Sequence, residues 1–175
     1  NLAALMAGSK NSRSGIYVLI FHLPNDMKVS VGRLGEIDFR NGWYACVGSV
    51  NSGVEARIRR HLRTHDRPHW HLDYLMHLGK PTMAIIGHTE ESLECPLVHH
   101  LEALFQVVPR FGSSDCRCSG HLFYSPKQAL LEEAAGQGPV PYTHLTLPTL
   151  LRGYDSAGHI PPIFTTILTF SCHTH

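Results

Sequence analysis

The chain has 175 residues, 43% of them hydrophobic, and a formal net charge of +1, which suits one globular domain with appendages and excludes a disordered or fibrous chain. The near-neutral balance excludes a global basic field, so any attraction for nucleic acid must come from a local patch. No run approaches the roughly 18 apolar residues of a membrane span, no basic stretch opens a signal peptide, and five cysteines do not make a disulfide scaffold at this length.

The expected setting is therefore cytoplasmic and reducing, with no membrane partner; the composition leaves the oligomeric state open. The outlier is histidine, with fourteen in the chain and nine of them between His61 and His121. Imidazole suits metals, phosphates and proton transfer.

Residues 1–14 open without Met and are read as an N-terminal extension, the start of a fragment. GIYVLIFHL (15–23) is β-branched and aromatic, as a buried strand should be. A Pro24-Asn25-Asp26 turn leads to a second strand over 28–32. Segments 36–39 and 43–48 flank Asn41-Gly42, a strong hairpin signal, so the first fifty residues read as an antiparallel meander. A helix follows over 53–65, with Val54, Ile58 and Leu62 on one apolar stripe. A second helix is expected over 69–78 after Pro68, a short strand over 83–86, and a helix over 92–106. Residues 111–121 read as polar loop and 121–124 as a short strand. Ser125-Pro126 starts a last helix that runs to about 135. The fold class is α+β, a small antiparallel sheet flanked by helices, with the domain spanning 15–135.

Segment 136–175 differs in kind, with five prolines, Arg152 and Asp155 as its charges, and no clear periodicity. PYTHLTLPT (141–149) resembles translated sequencing-adaptor read-through. The tail is expected to be unstructured or an artefact, and its histidines 144, 159, 173 and 175 are set aside.

On a helical wheel, Arg57 and His61 border the buried stripe of 53–65, while Arg59, Arg60 and Arg63 face water. An arginine at the edge of a core needs an anionic partner. Either a salt bridge to Glu94, Asp73 or Asp115 supplies it, or a phosphate that fits the guanidinium fork. The outer Arg59, Arg60 and Arg63, with Arg67, are candidates for contact with a DNA backbone or simply form a solvated face.

GIY at 15–17, followed by VGS at 47–49 ahead of a helix carrying Arg57-x-x-x-His61, resembles the GIY-YIG nuclease superfamily. The ordered set GIY…GEIDF…VGS…RIRRHLR…HWHLDYL…EC…FGSSDCRCSGHLFY, covering about residues 15–127, is similar to its Uri-type endonuclease branch, a family sometimes fused to endonuclease III. The resemblance implies an α+β fold and metal-dependent hydrolysis of DNA phosphodiesters, with RNA not excluded. It implies that Tyr17 places or deprotonates the attacking water and that Arg57 neutralises charge growing on the phosphate. It further implies that His61 supports the site and that Glu94 is the single carboxylate for a divalent metal, Mg²⁺.

One position departs from the pattern. Cys46 stands where the second motif has its tyrosine, and a thiol lacks a phenol's reach and acidity. Tyr44, two residues earlier on the same strand face, is the candidate replacement, roughly 6–7 Å along the strand. Two alternatives follow: a catalytically weak nucleic-acid-binding module, or a zinc-stabilised structural domain.

His71, near where the superfamily often keeps a histidine, either contacts phosphate or shuttles a proton, or it donates to Asp73 or a backbone carbonyl and fixes a loop. Cys116-x-Cys118-x-x-His121, with Cys95 elsewhere, has the ligand types for a structural zinc. The spacing is not that of a C-x-x-C knuckle, so zinc ranks behind Mg²⁺ as the expected metal.

Overall fold

In a computed structural model, residues 14–63 and 66–138 are described in full, with the backbone of two later strands. The strands are β1 (Gly15–Leu23), β2 (Met27–Ser30), β3 (Glu36–Phe39), β4 (Gly42–Val50), β5 (Lys80–His88), β6 (Gln106–Val108), β7 (Leu122–Ser125), β8 (Leu145–Thr146) and β9 (Thr166–Ser171). The helices are α1 (Val54–His61), α2 (Asp73–Met76), α3 (Glu94–Glu102) and α4 (Gln128–Gly136). The main sheet runs β6-β7-β4-β1-β5-β9-β8, and β2 and β3 form a separate ribbon. Contacts from β6 through β5 are antiparallel, and β9 runs parallel to β5. The fold is α+β, as expected. No helix among the described residues is long and apolar enough to cross a membrane.

β1 lies at the centre because both of its faces are apolar. Tyr17, Leu19, Phe21 and Leu23 point to a core shared with Val54 and Ile58 of α1, Leu72, Leu75 and Phe111. Ile16, Val18 and Ile20 point the other way, to Leu97, Val98 and Leu101 of α3 and Leu131 of α4. The strand period of two thus sorts one sequence into two cores. Each such aliphatic side chain stabilises the fold by about 1.5–3 kcal/mol on full burial.

The departures from expectation have local causes. Asn41-Gly42 does not join β3 to β4 as a hairpin, since among the described residues β3 pairs with β2, and β4 with β1 and β7. The apolar edge of β1 outcompetes the ribbon as a partner for β4. Gly42 instead takes φ 148°, where a Cβ would lie 2.6 Å from the Tyr124 ring. The helix expected over 69–78 shrinks to α2 because the Asp73 carboxylate accepts the N–H groups of His69 and Trp70, holding 69–72 as a turn. The helix expected over 92–106 ends at Glu102, and β6 occupies the rest. Of segment 136–175, β8 and β9 extend the sheet beyond β5. The remainder after Gly138, like residues 1–13, lies outside the described residues.

Candidate active site

A cleft of about 550 Å³ opens between β1, β4, α1 and the loop before β7, and its walls include Tyr17, Cys46, Arg57, His61, His71 and Glu94. Tyr17, the third residue of β1, faces α1 and is 5% exposed. Its ring lies against Gly48, where a Cβ would come within 2.3 Å of the ring and the hydroxyl. The hydroxyl is 3.0 Å from His61 Nε2. His61 Nδ1 in turn lies 3.5 Å from Asp73 Oδ1, while Asp73 Oδ2 accepts the backbone N–H groups of His69 and Trp70 at 2.9 and 3.0 Å. Tyr17, His61 and Asp73 therefore form one chain from cleft to core, in which the phenol donates to Nε2 and Nδ1–H faces the carboxylate.

Burial sets the proton positions along that chain. It raises the Tyr17 phenol well above the ordinary range, with Cys46 adding to the effect and Arg57 opposing it. It lowers His61 to about 4 despite the opposing pull of Asp73. Burial alone would raise Asp73, but the Trp70 and His69 amides, with His61 and Arg60, hold it below the usual carboxylate range. At neutral pH the chain is phenol, neutral imidazole and carboxylate.

This arrangement fixes a pH response. The folded-state value of His61, about 4, lies below its ordinary 6.5, so the unfolded chain binds more protons in acid. The stabilisation held by neutral His61 is fully present above pH 6.5 and is lost as pH falls through 4, on the order of 3 kcal/mol in all. Urea unfolding followed from pH 7 to 4 is expected to show this fall, and His61→Asn is expected to flatten it. An equal slope in the variant would contradict the assignment.

Arg57 is half-buried on α1, with its guanidinium carbon 4.4 Å from the centroid of the Trp70 ring. Among the described residues it makes no ion pair, so the bridges to Glu94, Asp73 or Asp115 that the sequence allowed are not formed. Asp73 pairs instead with Arg60, at 3.7 Å, and Arg60 also lies 3.7 Å from the Trp70 ring centroid. The wheel placed Arg60 in water; the loop bearing Trp70 folds back over that side of α1. Arg59, Arg63 and Arg67 are exposed.

His71 lines the cleft, and its Nδ1 accepts the Gly112 N–H at 2.8 Å; a bond to Asp73, one of the alternatives the sequence left open, is not formed among the described residues. Tyr44 does not reach the cleft. Its hydroxyl donates to the Arg40 carbonyl at 2.8 Å and its ring packs among Phe21, Phe39 and Tyr124. The apolar cluster at that end of β4 holds it there, away from the cleft in which it would stand in for Cys46. Cys46 lies on the cleft floor, where burial and then Glu94 push its thiol up to about 12. It is a neutral thiol at pH 7.

The family model described as "Domain of unknown function DUF123" matches residues 16–137, from β1 to the end of α4 and across every cleft residue. The chain belongs to this family. No curated protein and no solved structure matches it.

In this DUF123 domain, the carboxylate of Glu94 stands at the first turn of α3 between two groups. Ser49 Oγ donates to Oε2 at 2.5 Å, and His121 Nδ1 lies 3.0 Å from Oε1. Beside it, Cys95, Cys116, Cys118 and His121 bring four possible ligand atoms within 4.8 Å of one another, a group that could hold a metal. The sequence named all four, but their spacing argued against zinc. The fold carries Cys95 on α3 to the Cys116–His121 loop, a proximity that the spacing does not show.

Several roles were not read from sequence. Asp73, named there only as a possible partner of Arg57 or His71, completes the Tyr17–His61 chain, and no spacing ties it to either. Ser49, within the VGS motif, holds Glu94. A neighbouring groove of about 660 Å³ shares His69, His71 and Ser114 with the cleft and adds Arg33, Arg110 and Arg117. Those three arginines are scattered in sequence and only the fold gathers them.

Proposed function

We propose that this DUF123 domain is a metal-dependent endonuclease that hydrolyses DNA phosphodiester bonds with an activated water. The observation that carries the reading is Arg57, a half-buried cation without a carboxylate partner among the described residues, facing the same cleft as the Tyr17–His61–Asp73 chain and Glu94. A scissile phosphate supplies the missing anion, and the charge that grows on it during attack meets a guanidinium already held by Trp70. Tyr17 orients the attacking water and takes its proton as its own passes to His61 Nε2. Asp73 keeps the imidazole in the accepting tautomer and favours the cation that forms. The resemblance to the GIY-YIG superfamily supports these roles.

Glu94 is the group that would hold a divalent ion. Its carboxylate is hard, partly exposed and aimed into the cleft by Ser49 and His121, which fits Mg²⁺ with its remaining positions on water and phosphate oxygens. Such an ion supplies Lewis-acid stabilisation of the phosphate and the leaving oxygen. A cytoplasmic setting accompanies this reading.

A second reading rests on Cys46. With a neutral thiol on the floor and Tyr44 turned away, the motif's second phenol is absent, and a domain that binds nucleic acid without cutting it would look the same. Both readings need phosphate contacts, for which the exposed Arg59, Arg63 and Arg67 are the candidates. DNA affinity, measured by fluorescence anisotropy, is expected to fall steeply with salt. Each arginine replaced by glutamine is expected to reduce the slope of log affinity against log salt by about one. Salt-independent binding would contradict both readings, and tighter binding to RNA than to DNA would replace the substrate.

A further inference from the structure

We propose that Cys95, Cys116, Cys118 and His121 bind a structural zinc ion, and that His121 links this ion to Glu94 at the cleft. Three thiols and an imidazole are the donor set zinc prefers in structural sites, and one that Mg²⁺ does not use. Zinc–sulfur bonds of about 2.3 Å in a tetrahedron place ligand atoms about 3.8 Å apart. The four atoms already lie within 4.8 Å of one another, so side-chain adjustments of under about an ångström close the site.

The supporting structure is built around the same point. Cys95 sits in the first turn of α3, while the other three come from the long loop between β6 and β7. That loop is pinned at its ends by Arg110 N–H to the Ser119 carbonyl at 2.6 Å and His121 N–H to the Phe111 carbonyl at 2.7 Å. Between those bonds it has no regular structure, and a metal held with Cys95 would cross-link it to α3, which it already meets through Ser119 Oγ donating to Glu102. With all four positions taken by protein, the site leaves no open position for substrate, as structural sites do not.

His121 is the link. It is 2% exposed, with Nε2 3.2 Å from Cys116 Sγ and Nδ1 3.0 Å from Glu94 Oε1. A zinc-bound histidine commonly turns its other nitrogen to a carboxylate, which fixes the tautomer and the ring. Glu94 stands at that nitrogen here, at 3.0 Å, and a small turn of the ring would complete the hydrogen bond. The ion thus ties the loop carrying Gly112, Ser114 and Asp115, which line the cleft, to the helix that opens with Glu94. This inference does not depend on the nuclease reading.

The test is metal analysis of the full chain purified without chelators or a histidine tag. One zinc per chain is expected, with the thiols of the cluster reactive only after the metal is removed. Cobalt exchange should give the visible absorption of a tetrahedral thiolate site. Cys118→Ser should lose the metal and Cys46→Ser should keep it. Because Cys118→Ser can also fail to fold, the wild-type stoichiometry decides the first half of the proposal. A zinc-free wild-type chain that takes up no cobalt, or a disulfide among these cysteines, would overturn it. Competition with a chromophoric chelator decides the second half. Glu94→Ala is expected to weaken zinc binding about 10–100-fold, as loss of a carboxylate behind a histidine ligand does; unchanged affinity would overturn the link.

Discussion

Arg57→Ala is expected to slow DNA cleavage about 10²–10³-fold, the loss typical of removing one donor to a developing anion, while leaving the fold in place. The two halves of that expectation have separate causes. Arg57 has no ion pair among the described residues, so its removal strands no buried carboxylate. What the fold loses is the contact with Trp70, worth about 0.5–1 kcal/mol. Arg57→Lys should recover little of the rate, because an ammonium keeps the charge but not the fork that holds two phosphate oxygens. Arg60→Ala makes the opposite control. It takes a cation from the buried Asp73 carboxylate, so it should cost more stability than Arg57→Ala. Single-turnover rates beside urea midpoints separate the two. Unfolding by Arg57→Ala would mean that its charge serves the fold rather than a ligand.

Gly48→Ala should be as damaging to activity as removing the Tyr17 hydroxyl itself. The added methyl would lie 2.3 Å from the Tyr17 Cζ and hydroxyl oxygen, and the ring, 5% exposed and held by His61, has nowhere to retreat. Overpacking of this kind costs about 1–3 kcal/mol and displaces the phenol from the water it is proposed to orient. Tyr17→Phe removes only the hydroxyl. It should cost about 0.5–1.5 kcal/mol of stability and about 10²–10⁴ in rate if the phenol handles a proton. Cleavage by Gly48→Ala at the wild-type rate would show that the position of the phenol does not matter to the reaction. The same contact explains why a glycine follows Val47 in the VGS motif: only a residue without a Cβ lets the tyrosine lie flat on β4.

Much of the site was legible because its parts lie in order along the chain. GIY, VGS, the Arg57-x-x-x-His61 helix and Glu94 could each be named from sequence, and the fold brings Tyr17, Arg57, His61 and Glu94 to one cleft. The helical wheel correctly turned Arg57 and His61 toward the core edge. It misplaced Arg60 because a wheel knows only its own helix, and the partners of Arg60, Trp70 and Asp73, come from the loop and helix beyond. Asp73 was unreadable in its role for the same reason. The Asn41-Gly42 signal failed because local turn preference is worth less than the burial gained when β4 pairs with β1. The short α2 was missed because the side chain of Asp73 competes with the helix for the amides it needs. Tyr44 had the right strand parity to replace Cys46, but parity does not show which neighbours occupy the space above it. The Cys/His cluster could be named but not judged, since its fourth member lies on a helix that only the tertiary fold places there.

The most direct measurement is nicking of supercoiled DNA, and of duplex, flap and mismatched oligonucleotides, by the wild-type chain with Mg²⁺ and with EDTA. Metal-dependent cleavage of at least one substrate, abolished by EDTA and by Arg57→Ala, is the predicted result. Tight, salt-sensitive binding without cleavage of any substrate at any divalent metal would contradict the hydrolytic reading and leave a binding module in which Cys46 has replaced a necessary phenol.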